Sequence, residues 1–129
     1  MGIRTDIPAK IWNGIERGSY TLIAQEAMPS GEHLRRWIAI YAVYKLDKDP
    51  EQSVYLFDFL RNVLNYRYCI VDFEVPIKYI EYADGVSESQ LVNVKTYMAN
   101  TIEELYVRFE QQGIDASKFE PEWKCEYPL

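Results

Sequence analysis

His33 is the only histidine in this chain of 129 residues, so any mechanism that needs an imidazole must pass through it. It follows Ser30-Gly31, in what reads as the first turn of a helix, and no spacing supplies a base, nucleophile or metal co-ligand beside it. A solvated surface position is the expectation. The two cysteines are no better placed. Cys69 lies in an alternating apolar run, where a thiol behaves as a small buried hydrophobe. Cys125 sits between Lys124 and Glu126 with no activating base. No CxxC or Cys/His spacing suggests zinc, and one pair of cysteines is too sparse for a disulfide-stapled secreted scaffold. A reducing cytoplasm is therefore expected, with a Cys69–Cys125 bridge as the alternative.

The glycines stand at positions 2, 14, 18, 31, 85 and 113, and form neither GxGxxG nor GxxxxGK[ST], so no nucleotide cofactor is expected. Asp47, Asp49 and Glu51 faintly resemble a calcium loop, but the glycine and terminal glutamate of such a loop do not follow. Asp49 ahead of Pro50 is already explained as a helix cap. The sequence thus predicts no metal, no cofactor and no enzyme active site. One exception stays open. Asp72 and Glu74 project from the same face of an expected strand, and two carboxylates in a cleft could act as acid and base.

Composition narrows the function further. The chain is 48% hydrophobic, 26% charged and 15% aromatic, with eleven tyrosines and three tryptophans. That describes one ordinary folded domain, 1–129, not a disordered segment. No stretch approaches the ~20 apolar residues of a membrane helix, and the N-terminus does not read as a secretory signal. The net charge of −6 lies entirely in the second half. Residues 1–64 hold eight acids and eight bases, and residues 65–129 hold twelve acids and six bases. Arg35-Arg36 is the one basic pair, which disfavours direct binding of nucleic acid.

What remains is an acidic, aromatic C-terminal half. Asp72, Glu74, Glu81, Tyr82, Asp84 and Glu88 fall on or near an expected hairpin, and Glu122 and Trp123 fall in the tail. These eight are the candidate partner-binding residues, because acids steer a basic partner and Tyr or Trp anchors the contact. The expected function is a binding protein that neutralises a basic partner. Its most concrete form is a bacterial immunity protein that occludes the active site of a nuclease-type toxin. The alternatives are a phage-type inhibitor, a self-associating adaptor that uses an apolar helix pair, and an enzyme with a carboxylate site.

The elements that must position these residues follow from periodicity and caps. Asp6-Ile7-Pro8 starts a helix carrying Ile7, Ile11, Trp12 and Ile15 on one face, and Gly18 stops it. Tyr20 to Met28 fits strand or helix, and the helical neighbours expected after it favour helix. Leu34, Trp37, Ile38 and Tyr41 then share a helical face, widened by Ile40 and Val43. Asp49-Pro50 starts another helix with Val54, Phe57, Leu60, Val63 and Leu64 inward, antiparallel to the one before. Residues 1–65 are therefore expected to be mainly helical.

Beyond Asn65 the period changes to two. Tyr68 to Val75 and Ile77 to Tyr82 read as strands, Asp84-Gly85 as a turn, and Gln90 to Met98 as a strand with helix as the alternative. Residues 66–98 are thus mainly strands. Thr101-Ile102-Glu103-Glu104 is a capping box for a helix over 101–112 that ends at Gly113, and 114–129 reads as an irregular tail. The expected class is α+β: N-terminal antiparallel helices, a small antiparallel sheet of about three strands, and a C-terminal covering helix.

Overall fold

The computed structural model describes residues 6–46, 56–82 and 85–129, the side chain of Tyr82 excepted. Within these residues five strands form one antiparallel sheet: β1 (Leu22–Ala27), β2 (Leu34–Ala42), β3 (Tyr68–Pro76), β4 (Val92–Ala99) and the two-residue β5 (Glu120–Pro121). Their spatial order is β4-β3-β2-β1-β5. Among the described residues four short helices surround the sheet: α1 (Ala9–Glu16), α2 (Asp58–Arg61), α3 (Ile77–Tyr82) and α4 (Ile102–Gln112).

This architecture overturns the expected helical N-terminal half and three-stranded sheet. Tyr20–Met28 and the run beginning at Leu34 are not helices but β1 and β2, paired from Leu22↔Tyr41 to Ala27↔Arg36. The cause is burial on both sides. Even-numbered Ile38, Ile40 and Ala42 join one core, with Ile23, Ile70, Leu105 and Phe109. Odd-numbered Trp37, Ala39 and Tyr41 join a second, with Val71, Phe73 and Leu60. A strand covered on both faces has apolar residues at every position, and its alternation disappears from the sequence. The helix expected from Asp49 begins outside the described residues, and within them only Asp58–Arg61 is helical. Ile77–Tyr82, expected as a strand, is α3. The tail is less irregular than its prolines suggest. It makes a tight turn at Ala116–Lys118, pairs as β5 with Ile23 and Ala24, and turns again at Glu122–Lys124.

Other elements form where the sequence places them. Val92–Ala99 is a strand, as its β-branched residues favour. In α4 the Thr101 side chain accepts the Glu104 N–H, and the Glu104 carboxylate reaches back to the backbone N–H of Asn100 at 2.7 Å. Gly113 closes the helix at φ 67°, a left-handed conformation that glycine adopts freely. Helix α1 differs at its start, since Pro8 occupies the cap position and no side chain caps it.

Candidate functional site

Among the eight candidate residues the sheet separates two groups. Asp72 and Glu74 turn inward, only 7% and 5% exposed. Asp72 is gripped by both ends of the Arg36 guanidinium fork at 2.8 and 2.6 Å, a bidentate geometry that fixes β3 to β2. Glu74 accepts from the Ser30 backbone N–H at 2.7 Å, from the Ser30 hydroxyl and from the Asn93 amide at 2.8 Å. Burial alone pushes the Glu74 carboxyl up; those hydrogen bonds, with the Arg36 charge, outweigh it and hold it below 4.5. Glu74 thus ties the β1–β2 loop to Asn93, where β4 bulges with φ 54°. Both carboxylates are buried and held by bonds within the chain.

Of the remaining candidates, Glu88 caps α2, accepting from the backbone N–H groups of Asp58 and Phe59 at 2.7 and 3.1 Å. Glu81 is exposed on α3. The Tyr82 side chain and all of Asp84 lie outside the described residues. Glu122 and Trp123 are both exposed and adjacent, in the turn that follows β5. Trp123 is 64% exposed, an unusual state for the largest apolar side chain.

The segment that carries Trp123 is held at many points. Before it, Phe119 is buried against Phe109, and Pro121 pairs with Ile23. After it, the carbonyl of Cys125 accepts the buried Trp37 indole N–H at 2.8 Å. The hydroxyls of Tyr127 and Tyr41 lie 2.6 Å apart, and the Tyr127 ring meets Phe73 edge-on at 5.7 Å. Arg35 binds Glu26 through two nitrogens at 2.8 Å and reaches Glu126 at 3.3 Å. Its hydrogen bonds hold the Glu26 carboxyl below its usual value. Phe119 is anchored in the first core and β5 at the sheet edge, and the residues that follow β5 form a strap across the second face of the sheet. Trp123 projects from it and rests edge-on against Tyr20, centroids 5.5 Å apart. Tyr20 in turn fills the space over Gly14, where a Cβ would come within 2.2 Å of its ring.

Beside Trp123 lies an open groove of about 540 Å³, lined by Gln25, Glu26, Ser117, Lys118, Glu120 and Lys124. Two lysines face two glutamates, so its field is mixed. Cys125 borders it, but burial pushes that thiol up to about 11 and the Cys69 thiol up to about 12. Both stay protonated at neutral pH, so neither is an activated nucleophile. Both cysteines are free, against the bridged alternative. His33 is exposed, and its carbonyl accepts the Ile77 N–H. Among the described residues, no cluster of three or more His, Cys, Asp or Glu is placed to hold a metal, and no helix is long and apolar enough to cross a membrane.

Sequence reasoning gave no part in the site to Tyr20, Trp37 and Tyr41, which hold the strap and its exposed ring. Arg35-Arg36 was legible as a basic pair. Its division between the two faces of the sheet needed the strand assignment of β2. Compared with known proteins, the chain matches no family model, no curated protein and no solved structure.

Proposed function

We propose that this chain acts by binding: an inhibitory partner of a basic protein, most concretely an immunity protein that occludes the active site of a nuclease-type toxin in a bacterial cytoplasm. The observation that carries the reading is Trp123, exposed yet held on a strap fixed on both sides of it. An aromatic side chain presented by a pre-ordered backbone loses little freedom on association, which suits it to be the energetic centre of an interface. Glu122 beside it and the net charge of −6 favour a basic partner. A phage-type inhibitor would use the same surface.

Two alternatives gain less. The apolar residues on which a self-associating helix pair would rest, Trp37, Ile38 and Tyr41, are buried in the sheet. A carboxylate enzyme would want an acid with a raised pKa. The Glu26 and Glu74 carboxyls are instead both lowered, as suits permanent hydrogen-bonded anions.

The test is co-expression with the product of the neighbouring gene, followed by a nuclease assay on that product. Stoichiometric inhibition that Trp123→Ala weakens at least tenfold is the expected result. A neighbouring gene that encodes no basic nuclease, or inhibition indifferent to Trp123→Ala and Glu122→Lys together, would overturn the reading.

A further inference from the structure

The strand at the edge opposite the strap offers a second and different surface. In β4 the residues that pair toward β3 are Lys95, Tyr97 and Ala99, opposite Asp72, Ile70 and Tyr68. The same alternation runs through the sheet. The Ala42 N–H bonds the Thr21 carbonyl and the Ile77 N–H bonds the His33 carbonyl, which fixes the parity of every strand between. The backbone groups of Val94, Thr96 and Met98 therefore point away from the sheet. Arg108 of α4 takes the Met98 carbonyl at 3.4 Å. Among the described residues no strand lies beside the N–H and C=O groups of Val94 and Thr96, and Val92 and Val94 are 36% and 44% exposed.

A second copy of the chain fits this edge poorly. Pairing the open groups of Val94 and Thr96 with their equivalents sets Lys95 directly opposite Lys95 of the other copy, and like charges so placed repel. Sliding one way brings Lys95 against Asn93, whose φ of 54° breaks the extended ribbon. Sliding the other way brings Val94 against Met98, whose carbonyl is already taken. A foreign strand has none of these obstacles. Lys95 is exposed, and its own cross-strand neighbour Asp72 is held by Arg36, so its charge is available to an incoming residue.

We propose that the free edge of β4 accepts an extended segment of another protein that pairs with Val94 and Thr96 and places a carboxylate opposite Lys95. Main-chain hydrogen bonds would hold the segment, apolar side chains beside the carboxylate would cover Val94, and the carboxylate would set the register. The proposal goes beyond the Trp123 surface and does not depend on it.

Fluorescence anisotropy with two labelled, capped seven-residue peptides tests it. Both alternate valine and threonine, with valine flanking a central glutamate in one and a central lysine in the other. The glutamate peptide should bind at least tenfold more tightly to the full chain. Lys95→Glu should invert that order. Thr96→Pro should abolish binding of both peptides while the melting temperature stays near wild type, since the Thr96 N–H makes no bond to β3. Trp123→Ala should bind the peptide as wild type does, which separates this surface from the strap. Equal affinity for the two peptides, binding that survives Thr96→Pro, or sedimentation showing a wild-type dimer that Thr96→Pro dissociates would each overturn it.

Discussion

Trp123 and Glu74 show how differently two residues of the same half of the chain are used. Trp123 is exposed, so Trp123→Ala should change unfolding free energy by no more than about 0.5 kcal/mol. As the central aromatic contact of the proposed interface, its loss should cost about 2 kcal/mol or more of partner binding. Paired denaturation and titration experiments read both quantities on one variant. Glu74 is the reverse case. Glu74→Gln leaves the Ser30 and Asn93 donors a weaker acceptor and should destabilise by about 1–3 kcal/mol. Its carboxyl titrates lower in the folded than in the unfolded chain. Its contribution is therefore complete above the unfolded value near 4.5 and is lost as pH falls through the folded value. Melting temperatures between pH 7 and 3 should fall steeply for wild type and less steeply for Glu74→Gln. The structural role of Glu74 was not legible beforehand, because the residues that claim Glu74 and Asp72 lie 44 and 36 positions away, at Ser30 and Arg36.

At the scale of elements, local chemistry and burial made different parts of the chain readable. Helix α4 was legible because both ends carry their own signals, Thr101 with Glu104 and then Gly113. Thr101→Ala should cost about 1 kcal/mol through the lost cap. Gly113→Ala should cost a similar amount because φ is 67°, although nothing would touch the added Cβ. Circular dichroism melts of the two variants and their combination would show both losses. β3 was legible because Asp72 and Glu74 interrupt one face and make the alternation visible. β2 was not. Trp37 to Ala42 is buried at every position, and Leu34, Trp37, Ile38 and Tyr41 fall by coincidence on helical spacing as well. Continuous burial erases the distinction between the two periods, and only pairing partners restore it. The candidate surface was half legible for a related reason. Glu122 and Trp123 stood out as an acid beside an aromatic, while the contacts that make them a rigid presentation come from Tyr20, Trp37 and Tyr41.

For the molecule as a whole, the sheet needs cover on two sides, and the chain supplies it unevenly. Helices α1 and α4 close one face. The other face is closed by the α2–α3 region together with the strap, where Cys125 and Tyr127 pack among Trp37, Phe73 and Tyr41. Ending the chain after Lys118 should therefore do more than remove Trp123. It would expose Trp37 and leave its indole N–H without the Cys125 carbonyl. The shortened chain should bind a hydrophobic dye and lose its cooperative near-ultraviolet transition, whereas full-length Trp123→Ala should keep it.

The position of β5 also sets an order of assembly. Strands β1 to β4 pair with their sheet neighbours in sequence order, so each pairing can close in turn. The strap instead returns across the fold, and the contact between Trp37 and Cys125 spans 88 positions. Contacts so distant close at a higher entropic cost and suit a late step. Amide hydrogen exchange should then find the Ala24 N–H, which points toward β5, released by a partial opening, while the amides shared by β2 and β3 exchange only on complete unfolding. Trp123 rides on the last piece to dock. A chain still folding would carry the residue without the platform, and competence for the proposed binding would arrive only when the architecture is complete.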